Sequence, residues 1–127
     1  MPSSSPSQAP SFLRGEFQDD YGERHSISAS EWVQRPRNRF HIVQWVPSRT
    51  FLIAHNDSAN RGDAGRWTRI DWLRLDGMAP YEWAFCFSAY DAPSAAAAES
   101  VAIAHPETPK TGCNGFPYTR MRRIGGP

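Results

Sequence analysis

Apolar and polar side chains alternate along short runs of this chain, the period expected of half-buried β-strands. The clearest run is Tyr81 to Tyr90, with Tyr81, Trp83, Phe85 and Phe87 on one face and Glu82, Ala84, Cys86 and Ser88 on the other. Similar patterning predicts strands over Arg14 to Phe17, Arg24 to Ala29, Glu31 to Gln34, Arg39 to Val46, Thr50 to Asn56, Arg66 to Leu75 and Tyr118 to Arg122. Pro36 breaks the third, because proline has no amide hydrogen to give a ladder. Pro47 and Ser48 turn the fourth into the fifth, and Asp76 with Gly77 is a strong turn signal. Ser94 can cap a helix through Ala104, built on four consecutive alanines and ended by Pro106.

Short strands in series with hairpin-length connections predict an all-β, mainly antiparallel fold: a closed or nearly closed meander barrel with one short helix. Closure removes the sheet edges and gives the ring-bearing faces an interior to fill. A two-layer β-sandwich is the alternative. The chain reads as residues 1–11, a disordered Ser/Pro-rich tail; residues 12–123, one barrel domain; and residues 124–127, a frayed end.

Composition sharpens this only in places. The 127 residues are enough for one core, which must lean on five Trp, seven Phe and four Tyr. A formal charge of +1, with basic residues scattered from Arg14 to Arg123, argues against an electrostatic nucleic-acid binder. No run approaches the roughly 20 apolar residues of a spanning helix, so a soluble domain is expected. The first ten residues lack the basic start and apolar run of a secretory signal.

Arg69 and Asp71 lie two apart on a strand, on one face with Trp67 and Leu73. Inward, they would form a buried ion pair and a candidate site. The favoured expectation instead puts Ile70 and Trp72 inward and the charges in water. His55, Asn56 and Asp57 open the longest loop, a position from which side chains reach a barrel mouth, although Asn and Asp also favour such corners for backbone reasons. His25, His41 and His55 occupy different strands at spacings that place no two ligands on one element, and no metal site is expected. Asp19 and Asp20 read as turn residues, on opposite faces if extended. Familiar nucleophile, zinc-protease, phosphate-loop and dinucleotide motifs are absent, and no cofactor is expected.

Cys86 and Cys113 have 26 residues between them. Their count and spacing leave pairing open; a disulfide would contribute roughly 3 to 4 kcal/mol through chain entropy and would favour an exported protein. The compartment is otherwise undetermined.

Gly15-Glu16-Phe17 resembles the Gly-x-Trp opening of lipocalins and related calycin barrels, with Phe in place of Trp. That resemblance implies an arginine late in the barrel packing across Phe17, a part open to Arg120 or Arg122. The lipocalins' Thr-Asp-Tyr signature has no counterpart here. From Gly15 to about Arg120, the pieces Asp20-Tyr21-Gly22, Phe40-His41-Ile42, Ile53-Ala54-His55-Asn56-Asp57, Arg69-Ile70-Asp71-Trp72, Tyr90-Asp91-Ala92 and Gly112-Cys113-Asn114-Gly115-Phe116 are similar to an uncharacterised family of small, often exported bacterial proteins. That likeness implies a Cys86–Cys113 disulfide and supplies no reaction.

The leading expectation is a noncatalytic barrel with an aromatic-lined pocket for a small apolar or aromatic molecule. Asn56, Trp67, Arg69, Asp71, Trp83, Phe85 and Tyr90 are its candidate contacts. The enzyme alternative is a barrel-type isomerase or cyclase using Asp71, Asp57 or His55. The third is a structural or protein-interaction module with a filled core. A cavity of about 300 Å³ or more lined by Trp and Phe would favour the first two, and a solid interior the third.

Overall fold

The computed structural model describes residues 8–35 and 38–125. Eight strands follow one another in order: β1 (Gly15–Asp19), β2 (Arg24–Ile27), β3 (Glu31–Gln34), β4 (Asn38–Val46), β5 (Phe51–Asn56), β6 (Trp67–Arg74), β7 (Trp83–Ala92) and β8 (Thr119–Gly125). Each pairs antiparallel with its neighbour, and β8 closes on β1 through Phe17 opposite Arg123, so the sheet is a closed barrel. The sandwich alternative is thereby excluded.

Alternation decides which side chains fill the barrel. Phe17, Trp32, Trp83, Phe85 and Met121 are almost wholly buried in one cluster with Ile70 and Trp72. Trp32 meets Phe85 edge to face at 5.2 Å and Trp83 at 5.9 Å, and Phe17 meets Trp83 at 5.2 Å, the favoured arrangement for ring quadrupoles. Phe85 and Phe87 continue the chain of rings toward Phe40. The Tyr81-to-Tyr90 pattern therefore works as expected from Trp83 onward.

Three boundaries differ from the sequence expectation. The chain is already packed against the core at Ala9, before the 3-10 turn Ser11–Leu13 and within the stretch expected to be disordered; residues 1–7 lie outside the described residues, as does the break expected at Pro36. At the other end β8 runs through Ile124 to Gly125, held by its partner β1, and only residues 126 and 127 are not described. The helix α1 spans only Ala95–Glu99. Ser94 caps it as expected, accepting from the Ala97 amide, but it stops well short of Ala104. The Arg69 guanidinium takes the Glu99 and Val101 carbonyls at 2.6 and 2.7 Å and draws the chain out of the helix.

The arginine that lies over Phe17 is Arg123, 4.8 Å from the ring centroid, rather than Arg120 or Arg122. Strand register explains this: Phe17 faces Arg123, whereas Arg122 sits opposite Gln18 and bonds it, and Arg120 pairs with Asp20.

One polar group inside the barrel is fully accounted for. His25 is wholly buried; its Nδ1 accepts from the Trp32 indole N–H at 3.0 Å, so Nε2 carries the proton and donates to Asp19 Oδ2 at 2.9 Å. Asp19 Oδ1 accepts the amides of Tyr21 and Glu23. Asp19 is thus an inward-facing partner as well as a turn residue, while its neighbour Asp20 faces outward to Arg120. Burial lowers the His25 pKa against the opposing pull of Asp19. An unfolded His25 takes a proton as pH falls through its ordinary 6.5, and the folded one takes it only at lower pH, so stability drops as pH falls through that window. Urea unfolding from about pH 7.5 down to about 5.5 should show a progressive loss of stability from this group. His25→Gln should flatten that slope; an unchanged slope would acquit His25.

Candidate functional site

The residues proposed from sequence do not converge on one cup. Trp83 and Phe85 belong to the filled interior. Asn56 also points inward, but as an end closure: its amide donates to the Asp63 and Tyr90 carbonyls and its oxygen accepts from Thr68. Tyr90 contributes only that backbone oxygen, and its side chain is exposed. His55 and Trp67 face each other across β5 and β6 on the outer wall, rings 4.5 Å apart. Asp57 pairs with His41 at 2.7 Å, and that hydrogen bond holds its carboxyl below the usual range. Among the described residues, no group of three or more His, Cys, Asp or Glu is placed to hold a metal.

Arg69 and Asp71 correct the sequence expectation in one respect. Ile70 and Trp72 do point inward, which puts the two charges on the outer wall, yet they are not in water. The guanidinium forks onto both Asp71 oxygens at 2.9 and 3.0 Å, lies 3.9 Å over the Phe51 ring, and reaches the Glu99 and Val101 carbonyls. Ser88 donates to Asp71 at 2.5 Å. With these contacts the pair clamps the end of α1 to the barrel, and both partners are almost fully covered. Both Asp71 oxygens are held by Arg69, and one also accepts from Ser88.

Below this clamp the outer wall carries a groove that sequence reasoning missed. Cys86, on the outer face of β7, forms a disulfide with Cys113. The bond holds the segment 104–118 against the barrel, where Tyr118 is buried with Ala84 and Cys86 beside Leu73 and Leu75. Between segment and barrel opens a cavity of about 640 Å³. Its barrel side is Leu73, Leu75, Met78 and Ala84; its other side is Pro106, Pro109, Pro117 and Tyr118. Charged side chains sit around it: Arg120 is paired with Asp20, whereas Lys110 and Asp76 make no ion pair among the described residues. The Tyr118 hydroxyl is buried without a hydrogen-bond partner among the described residues, and desolvation, with Asp71 and Glu107 adding to it, pushes its pKa up to about 12. It is therefore a neutral donor at any physiological pH.

No Trp or Phe lines this cavity. The Trp and Phe rings of the barrel interior pack against one another, and this cavity lies outside the wall. A signal for this existed in the sequence. The outer face of β7 carries Ala84, Cys86 and Ser88, and that of β6 carries Leu73, small or apolar residues that suit a wall covered by more chain.

The chain matches no protein-family model, no curated protein and no solved structure. Among the described residues no helix is long and apolar enough to cross a membrane.

Proposed function

We propose that this protein is a noncatalytic barrel that binds a small, largely apolar or aromatic molecule in the groove between its outer wall and the segment 104–118. The supporting observation is the cavity of about 640 Å³ with a predominantly aliphatic lining. Its size falls among drug-sized ligand sites, which run from roughly 300 to 1,000 Å³ and combine apolar walls with few polar groups. The polar groups at hand are the charged side chains around it, Asp76, Lys110 and Arg120, while Tyr118 lines it with its hydroxyl buried. The barrel contributes rigidity, since its interior is packed with interlocking rings.

The test uses the neutral aromatic probe N-phenyl-1-naphthylamine, whose fluorescence rises on leaving water. The oxidised protein should bind it saturably. Leu73→Arg, which puts a charge into the groove from a half-buried position, should weaken binding at least about tenfold. Phe85→Leu, which alters only the barrel interior, should leave the affinity unchanged. Absence of binding would defeat the reading, and sensitivity to Phe85→Leu without sensitivity to Leu73→Arg would return the site to the interior.

A further inference from the structure

We propose that the Cys86–Cys113 disulfide is a redox latch on the groove: reduction by a dithiol frees the segment 104–118 and releases the ligand. The inference rests on the reading of the groove as the binding site and adds its regulation.

The segment 104–118 is held to the barrel in few places. Its backbone hydrogen bonds stay within itself: His105 to Gly112, Thr108 to His105, Thr111 to Thr108, Cys113 with Phe116, Gly115 to Thr111, and Tyr118 to Pro109. It is wound so tightly that a Cβ on Gly112 would lie 2.0 Å from the His105 carbonyl oxygen. Among the described residues these bonds give it an internal structure without tying it to the barrel ladder. Arg69 grips the chain just before it, at the Glu99 and Val101 carbonyls, and β8 begins just after it, at Thr119. Between those anchors the one covalent tie to the wall is Cys113 to Cys86. This same segment provides the Pro106, Pro109 and Pro117 side of the cavity. Cutting the tie leaves that wall of the groove held only by the packing of Ala104 and Tyr118, while the clamp and the barrel stay in place.

The two sulfurs differ in access. Cys86 is 1% exposed under the segment, whereas Cys113 is partly exposed. A dithiol's thiolate attacks the Cys113 Sγ, the S–S bond breaks, and Cys86 leaves as a thiolate that takes up a proton. The reductant's second thiolate then attacks the mixed disulfide, releases Cys113, which is protonated in turn, and closes the reductant's own disulfide. Two electrons pass from the dithiol to the cystine, and both cysteines end as thiols.

The experiment compares the full chain oxidised, reduced with dithiothreitol and alkylated with iodoacetamide, and reoxidised from the unalkylated reduced form. Each is titrated with N-phenyl-1-naphthylamine and followed by amide hydrogen exchange. Reduction should weaken the probe at least tenfold and speed exchange in 105–118, with the eight strands still protected, and reoxidation should restore both. A Cys86→Ser/Cys113→Ser variant should behave as the reduced protein and ignore dithiothreitol. Equal affinity in the oxidised and reduced forms overturns the latch, as does a loss of protection throughout the barrel, which would make the disulfide a staple of the whole fold. Failure of the oxidised protein to bind the probe removes the groove reading. The exchange data then decide the latch by themselves: unchanged protection of 105–118 on reduction overturns it.

Discussion

Replacing Arg69 with methionine is expected to lower the unfolding free energy by about 3 to 5 kcal/mol, the usual cost of breaking a buried ion pair from one side. The arginine neutralises Asp71, whose side chain is 9% exposed, and satisfies the Glu99 and Val101 carbonyls. Methionine can cover the Phe51 ring, but it leaves a carboxylate with Ser88 as its remaining side-chain donor. Asp71→Asn in the Arg69→Met background should therefore recover part of the loss, because a neutral amide is far less costly to bury than an unpaired carboxylate. Urea denaturation of the single and double variants measures both effects. A cost below about 1 kcal/mol for Arg69→Met would mean that water reaches Asp71 and that the clamp is not buried in solution.

Trp32→Ala should be comparably damaging, at about 3 to 5 kcal/mol for removing a large core ring. Trp32 lies against Trp83, Phe85 and Phe87, so its loss empties the middle of the barrel. It also removes the indole N–H that fixes the His25 tautomer. Trp32→Phe separates the two roles. It keeps most of the packing and should cost less, while vacating His25 Nδ1, so that the ring can take a second proton beside Asp19. The fall in stability below pH 6.5 should then become shallower than in the parent protein. If Trp32→Phe keeps the parent's slope, the indole bond is not what holds His25 neutral.

These two sites show why some of the molecule was legible beforehand. The inward set Trp83, Phe85 and Phe87 follows from period-two alternation, since a strand cannot present neighbours on one face. The meander followed from the number of short strands and the short links between them, whereas closure against a sandwich was decided by the pairing of β8 with β1. The fate of Arg69 and Asp71 was only half legible: alternation places them opposite Ile70 and Trp72, but it cannot say whether the outer wall meets water. Here α1 and the chain after it cover that wall, with Ala98 packed near Phe51 and Ile53. The truncation of α1 was illegible for a related reason. Alanine-rich sequence favours a helix locally, and the carbonyls that would continue it are taken by a guanidinium 30 and 32 residues away in the chain.

By itself, then, the sequence determined the all-β class, a series of short antiparallel strands and which side chains share a face of each, because these depend on side-chain period and turn chemistry between near neighbours; which face turns inward it left open. Tertiary structure alone decided that Phe17 is covered by Arg123, that Asp19 and Trp32 close on His25, and that a groove lies between Leu73 and Pro109. Each of these joins residues from separate elements, and their meeting depends on register, barrel closure and a disulfide across the wall, none of which any local pattern carries.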